Sequence, residues 1–316
     1  MPPESRFRMC LRDSSINRGN PLFVLKGDIP YNRNNKPQEV ICINIIADSA
    51  LDLNESLKRR LDIDIIPFKL LLDGVEYVDD PKLDLAKFRK NMTASQKAGS
   101  ACPSPNDFLS RFRELGDVFA ITISAKLSGT YNSAILAKSM VLEEHPNSKI
   151  HIFDSKTAGG GEALIAMKIK ELLDKEYGFE EIVEKVEAYI SGMKTYFISE
   201  SLDNLIKNGR IPRLKGSIAS FMNIKPIMGA IDGEILLFEK ARGSNKAFAR
   251  MVEMVLEKGE DFSEKVLSIS HANNPERAES LKDIFHKRAN FKEIVVMPTA
   301  GLTTLYVDIQ GVILSY

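Results

Sequence analysis

Short apolar runs separated by amphipathic stretches of helical period fill the sequence from Ile43 to Ile190, and that alternation admits few folds. Ile43–Ala47, Val118–Ile123 and Ile150–Phe153 read as buried strands, and Asp64–Leu72 is a further apolar run closed by the turn Asp73-Gly74. Helices are expected near Asn54–Arg60, Asp84–Asn91 and Ser104–Leu115, from Thr130 to about Glu144, over Glu162–Lys175 and over Phe179–Met193. The helix after Ser104 has the best-marked start: Ser104 is the cap, Pro105 takes the first helical position and Asp107 completes a capping box. Strands joined through helices imply parallel pairing with right-handed crossovers, hence a layered α/β domain.

After Tyr196 the pattern changes. Ser201 is positioned to cap a helix that stops at Gly209, and Asp232-Gly233 joins Ile224–Gly229 to Ile235–Phe238 as a hairpin. Val266–Ser270, a helix over Pro275–Arg288, and Ile294–Met297 form one more strand-helix-strand unit, with Gly311–Leu314 as a last strand. The expected organisation is an extension or linker over 1–40, a mostly parallel α/β domain over 41–195, and a smaller mixed α/β domain over 196–316, with the ligand at the interface. Residues 1–40 carry recurrent prolines (Pro2, Pro3, Pro21, Pro30, Pro37) and no helical period, which suits an extended arm.

Composition narrows the function. A chain of 316 residues with 43 basic and 43 acidic side chains carries no charge excess that would point to nucleic acid or an acidic membrane. Cys10, Cys42 and Cys102 are odd in number and scattered, fitting neither a disulfide framework nor a zinc site. No run reaches the roughly 20 apolar residues of a membrane span, and the N-terminus lacks the apolar core of a secretory signal. A cytoplasmic protein without metal or cofactor, and without stable membrane insertion, is expected.

Three strands end in hydroxyl-bearing turns: Asp48-Ser49, Ser128-Gly129-Thr130 and Asp154-Ser155. Open α/β sheets bind ligands at the carboxyl ends of their strands, and the amides of a following helix start favour an anion. Serine at a helix start is equally a cap, so the turns alone leave capping and anion binding open. Of the four histidines only His271 falls at a strand end, and the chain has no nucleophile elbow, no phosphate-binding lysine loop and no cluster of metal ligands. Binding therefore outranks catalysis. The alternative is an enzyme acting on a small carboxylic or phosphorylated metabolite at the same cleft.

At SACPS (Ser100–Ser104), SGTY (Ser128–Tyr131), NGRI (Asn208–Ile211), NIKPIMGAIDG (Asn223–Gly233) and KARGSNKAF (Lys240–Phe248), the sequence resembles the DegV family, fatty-acid-binding proteins of bacteria. The resemblance runs from about Ile43 to the C-terminus and is most specific over Leu205–Lys246. It implies two α/β domains enclosing one long-chain fatty acid, with hydroxyls on the carboxylate and the acyl chain buried in the second domain. It also implies a non-catalytic carrier, similar to the carrier subunit of fatty acid kinase, that presents its acid to an ATP-binding partner.

Carried over residue by residue, the carboxylate falls to Ser100 and Ser128, with Ser49, Gly129, Thr130, Ser155 and Tyr306 as further pocket groups. Many family members place a histidine in an H-T-G-P-G stretch near the C-terminus; here the region reads LYVDIQGVILSY, with Tyr306 the nearest candidate. Arg210, Arg213 and Arg242 read either as a solvated basic face or as a docking patch for the kinase partner. The apolar set Ile218, Phe221, Met222, Ile224, Ile227, Met228 and Ile231 is expected in the core, around the tail.

Overall fold

The computed structural model describes residues 43–211, 224–257, 259 and 261–316. Ahead of them it describes the backbone of four two-residue strands, β1 (Arg8–Met9), β2 (Leu11–Arg12), β3 (Phe23–Val24) and β4 (Val40–Ile41), paired antiparallel as β1 with β3 and β2 with β4.

The first sheet opens with β5 (Asn44–Asp48), α1 (Glu55–Leu61) and β6 (Asp64–Ile66). The chain then makes an excursion through β7 (Lys69–Leu72), β8 (Val75–Val78), α2 (Leu85–Ala94) and β9 (Ala98–Ala101). It returns through α3 (Pro105–Leu115), β10 (Val118–Thr122), α4 (Thr130–Glu144) and β11 (Ile150–Asp154). The result is an all-parallel sheet in the order β11-β10-β5-β6 and a separate antiparallel sheet in the order β8-β7-β9.

The apolar run Asp64–Leu72 is therefore two strands in two sheets. Pro67, which has no amide hydrogen to give a ladder, falls at the break between them. Ser104 caps α3 with the expected box: its hydroxyl accepts from Asp107 N at 3.4 Å, and Asp107 accepts from Ser104 N at 2.7 Å. The period-two alternation of β10 divides the core, with Val118 and Ala120 packed against α3 and α4 and Phe119 and Ile121 on the opposite face.

Two helices, α5 (Gly160–Asp174) and α6 (Phe179–Gly192), cover that opposite face and lead to the second sheet. Its elements are β12 (Thr195–Ile198), α7 (Asp203–Lys207), the hairpin β13 (Ile224–Ile231) and β14 (Glu234–Arg242), α8 (Ser244–Leu256), β15 (Val266–His271), α9 (Pro275–Arg288), β16 (Glu293–Pro298), α10 (Gly301–Val307) and β17 (Val312–Ser315). The strand order β14-β13-β12-β17-β15-β16 mixes antiparallel pairs with one parallel pair, β15 with β16. One face of this sheet packs on α8 and α9 through Tyr196, Ile198, Ile227, Leu267 and Leu314. The other presents Phe197, Met228 and Ile313 toward α7 and Val307.

A parallel sheet and a separate mixed sheet are the expected fold class. Two local expectations change. The C-terminal region contains α10, a buried helix whose seven residues show too little periodicity to declare it. In the apolar set, Ile227 and Met228 are fully buried on opposite faces across a bulge, while Ile231 is 52% exposed at the hairpin tip. Ile218, Phe221 and Met222 lie outside the described residues.

Candidate functional site

The second sheet, α10 and the serine turn after β10 line an open-mouthed cavity. It lies between the cluster around Phe68 and Leu70 and the cluster around Phe197 and Met228, and Tyr306 packs against both. Its walls are mainly aliphatic and aromatic: Phe68, Ile123, Leu127, Phe197, Leu205, Ile235, Leu302, Val307 and Ile313. Ser100, Ser128, Arg210 and Tyr306 are the polar groups that converge at one part of it.

Each comes from a different element. Ser100 stands on β9, opposite Leu70 of β7. Its hydroxyl shares a 2.9 Å hydrogen bond with Tyr306 Oη. Ser128 sits in the turn before α4, where its Oγ accepts from Thr130 N at 3.3 Å and bonds the Thr130 hydroxyl at 2.8 Å. Arg210 follows Gly209, whose φ of +74° ends the α7 segment. The Arg210 guanidinium donates through Nε to Leu127 O at 3.1 Å and through Nη1 to Asn208 O, and lies 5.9 Å from the Tyr306 ring centre. Five donors on that fork leave several for a ligand.

Buried and half-buried aspartates hold this arrangement. Asp48 accepts from Ala50 N and Ile123 N, and Asp154 accepts from Ala125 N, so both grip the serine turn at its root. Asp79 accepts from Gly301 N at 2.9 Å and Leu302 N at 2.8 Å, and Asp52 accepts from Ala300 N at 2.7 Å, which fixes the start of α10 and hence Tyr306. Gly301 must lack a side chain here, because a Cβ would fall 2.5 Å from Asp79 Oδ1. Asn204 Nδ2 donates to Leu305 O and Asn208 Nδ2 to Ala98 O, tying α7 to α10 and to β9. Burial pushes Asp48 and Asp52 up to about 7 and Asp79 to about 6, despite the amides that hold their ionised forms.

Other expected pocket groups sit elsewhere. Ser49 is buried, donating to Asp79 Oδ2 and accepting from Phe68 N, so it is a structural link away from the cavity. Ser155 closes its own turn with Thr157. Thr130 is buried behind Ser128, and Gly129 is exposed. His271 accepts at Nδ1 from Asn274 N and does not line the cavity. Among the expected partner residues, Arg210 is in the cavity wall, Arg242 is exposed at the far end of β14, and Arg213 lies outside the described residues. Arg242 is seven residues beyond Ile235 along the strand, about 23 Å at ~3.3 Å per residue. Sequence reasoning missed Lys156, Thr157 and Thr195 as lining residues, since only the docking of the second sheet against the first brings them to the cavity.

Such a protein is a two-sheet α/β binder with an apolar cavity between the sheets and a hydroxyl-and-arginine cluster at one part of it. The chain belongs to the DegV family: residues 42–313 match the family model described as uncharacterised protein, DegV family. A DegV domain-containing protein of Streptococcus pneumoniae (strain ATCC BAA-255 / R6) is 34% identical over 276 residues, which cover 86% of this chain and 98% of that protein. The crystal structure of a DegV family protein from Ruminococcus gnavus with vaccenic acid superposes with a TM-score of 0.82 at 34% identity, covering 87% of this chain and 99% of that one. The S. pneumoniae fatty acid kinase B3 protein loaded with linoleic acid gives 0.79 at 33% identity, covering 87% and 98%. Among the described residues no group of three His, Cys, Asp or Glu side chains is placed to hold a metal, and no helix is long and apolar enough to cross a membrane.

Proposed function

We propose that this protein carries a long-chain fatty acid, with the carboxylate at Ser100, Ser128, Tyr306 and Arg210 and the acyl chain along the apolar wall. The observation that carries this reading is the cavity itself, lined mainly by apolar residues, with hydroxyls and a guanidinium converging. Among the described residues its cationic groups are Lys156 and Arg210, and no carboxylate or histidine lines it, so it suits an anion and lacks the usual general bases. That absence favours a carrier over an enzyme acting on a small metabolite. The similarity to a fatty acid kinase B protein supports presentation of the bound acid to a separate kinase subunit.

Organic extraction of purified protein followed by mass spectrometry tests the reading. The expected result is about one long-chain acid per chain; an empty cavity that takes up no added acid would overturn it.

A further inference from the structure

The tip of the β13–β14 hairpin forms part of the cavity wall, through Ala230, Gly233 and Ile235. β12 pairs with β13 only as far as Ala230, so Ile231 to Glu234 extend past the ladder behind them. β14 has no buried residue along its length, and backbone with so few buried contacts opens locally at low cost. Facing the tip is the turn that carries Ser128. Ser124 Oγ donates to Gly233 O at 2.7 Å, and Lys156 Nζ lies 3.8 Å from Asp232 Oδ1. The approach is close: a Cβ on Gly233, whose φ is +81°, would fall 2.3 Å from Ser124 Oγ and 3.3 Å from Lys156 Cα. Ser124 is fully buried yet does not line the cavity. Its carbonyl accepts from Leu127 N and Ser128 N, so the bond to the hairpin and the head-group turn belong to one hydrogen-bonded unit.

We propose that the hairpin tip, Ile231 to Glu234, is the movable part of the cavity wall, latched by the Ser124–Gly233 bond and lifted when ligand enters or leaves. An acyl chain held between two sheets exchanges no faster than a wall yields, and such covers commonly set the rate of release. A neutral hydrogen bond is worth a factor of about two to twelve in an opening equilibrium. The loose pair of Lys156 with the exposed Asp232 adds little. The latch is therefore strong enough to slow exchange and weak enough to open. Gly233 is required at the seam, because any side chain there would hold the tip away from Ser124.

This inference rests on the fatty-acid reading, and one experiment separates the two. Stopped-flow fluorescence with cis-parinaric acid, a long-chain polyene acid, gives the association rate on delipidated full-length protein. Displacement by excess hexadecanoic acid gives the dissociation rate. Ser124→Ala removes the latch hydroxyl, and one cover closes the empty and the loaded cavity alike. Both rates are therefore expected to rise about two- to twelvefold, with their ratio within about twofold of wild type. A change confined to one rate would mean that Ser124 only shapes the head-group turn, and overturns the inference, as do unchanged rates. Where Ser124→Ala does not fold, Gly233→Ala tests the same seam from the exposed tip. Its methyl group wedges the latch open, so both rates should again rise at least about twofold, and rates equal to wild type overturn the inference. Failure of both acids to bind wild type sinks the fatty-acid reading, a result distinct from tight binding whose exchange ignores the latch.

Discussion

Ser100 and Tyr306 stand 206 positions apart and place their hydroxyls 2.9 Å from one another. One rides on an edge strand of the three-stranded sheet, the other on the short helix α10. Neither element touches the other by local sequence necessity. Asp79, through its bonds to Gly301 N and Leu302 N, and Asn208, through its bond to Ala98 O, are what hold the two in register.

Removing hydroxyls should therefore act on the ligand before the fold. Ser100→Ala or Ser128→Ala is expected to weaken fatty acid binding by about 1.5–3 kcal/mol, roughly tenfold to a hundredfold. The double variant should purify folded but without stoichiometric acid. Unchanged acid content by mass spectrometry would remove these two residues from the head-group site.

Arg210 gives a sharper outcome, because its place in the cavity wall separates it from the docking role the sequence offered. Arg210→Met retains much of the packing stem and loses the charge. Acid affinity should fall by about tenfold or more, the usual worth of a charge-assisted bond. Arg242→Ala, at the other end of β14, should leave acid affinity as it is. Equal acid affinities for Arg210→Met and wild type would return Arg210 to the surface role.

Asp79 is predicted to matter through α10. Asp79→Ala leaves the amides of Gly301 and Leu302 and the Ser49 hydroxyl without their acceptor in a buried place. A loss of about 2–4 kcal/mol of stability is expected. Denaturant titration reads it directly, and a midpoint within error of wild type would show that α10 finds its position without this anchor.

The buried acids make stability fall with rising pH. Burial holds Asp48 and Asp52 at about 7 and Asp79 at about 6, and lifts Glu162, pressed further by the nearby Asp48 and Asp52, well above the carboxylate range. Unfolded, such groups titrate near ~3.9–4.3, so the folded chain binds more protons between about pH 4 and 7. Their favourable contribution is complete below the unfolded values and is lost as pH rises through the folded ones. Glu162 is fully buried with neither carboxylate oxygen hydrogen-bonded, which makes it the clearest probe. Thermal melts from pH 5 to 8 should show Glu162→Gln gaining on wild type as pH rises. A constant difference across that range would mean that Glu162 is ionised in the folded protein just as it is in the unfolded chain.

Much of this architecture was legible in the residues. Continuous apolar runs such as Val118–Ile123, separated by helical periods, point to parallel pairing because strands joined through a helix cross over to lie side by side in the same direction. The Ser104 box and the Asp232-Gly233 hairpin follow from local backbone chemistry that needs no distant partner. Ser100, Ser128 and Tyr306 were singled out by motif resemblance, yet nothing local shows that they meet, since their proximity is set by how the small sheet and α10 dock. Asp48 and Ser49 illustrate the limit: a strand-end Asp-Ser pair reads as a ligand mouth, and only the packed structure turns it into a brace for the serine turn and for Asp79. The same holds at Thr195, an unremarkable strand residue until the second sheet closes on Thr157. Short-range order is written in spacing and propensity, whereas the site is made by contacts between residues far apart in the chain, and those are decided by tertiary packing.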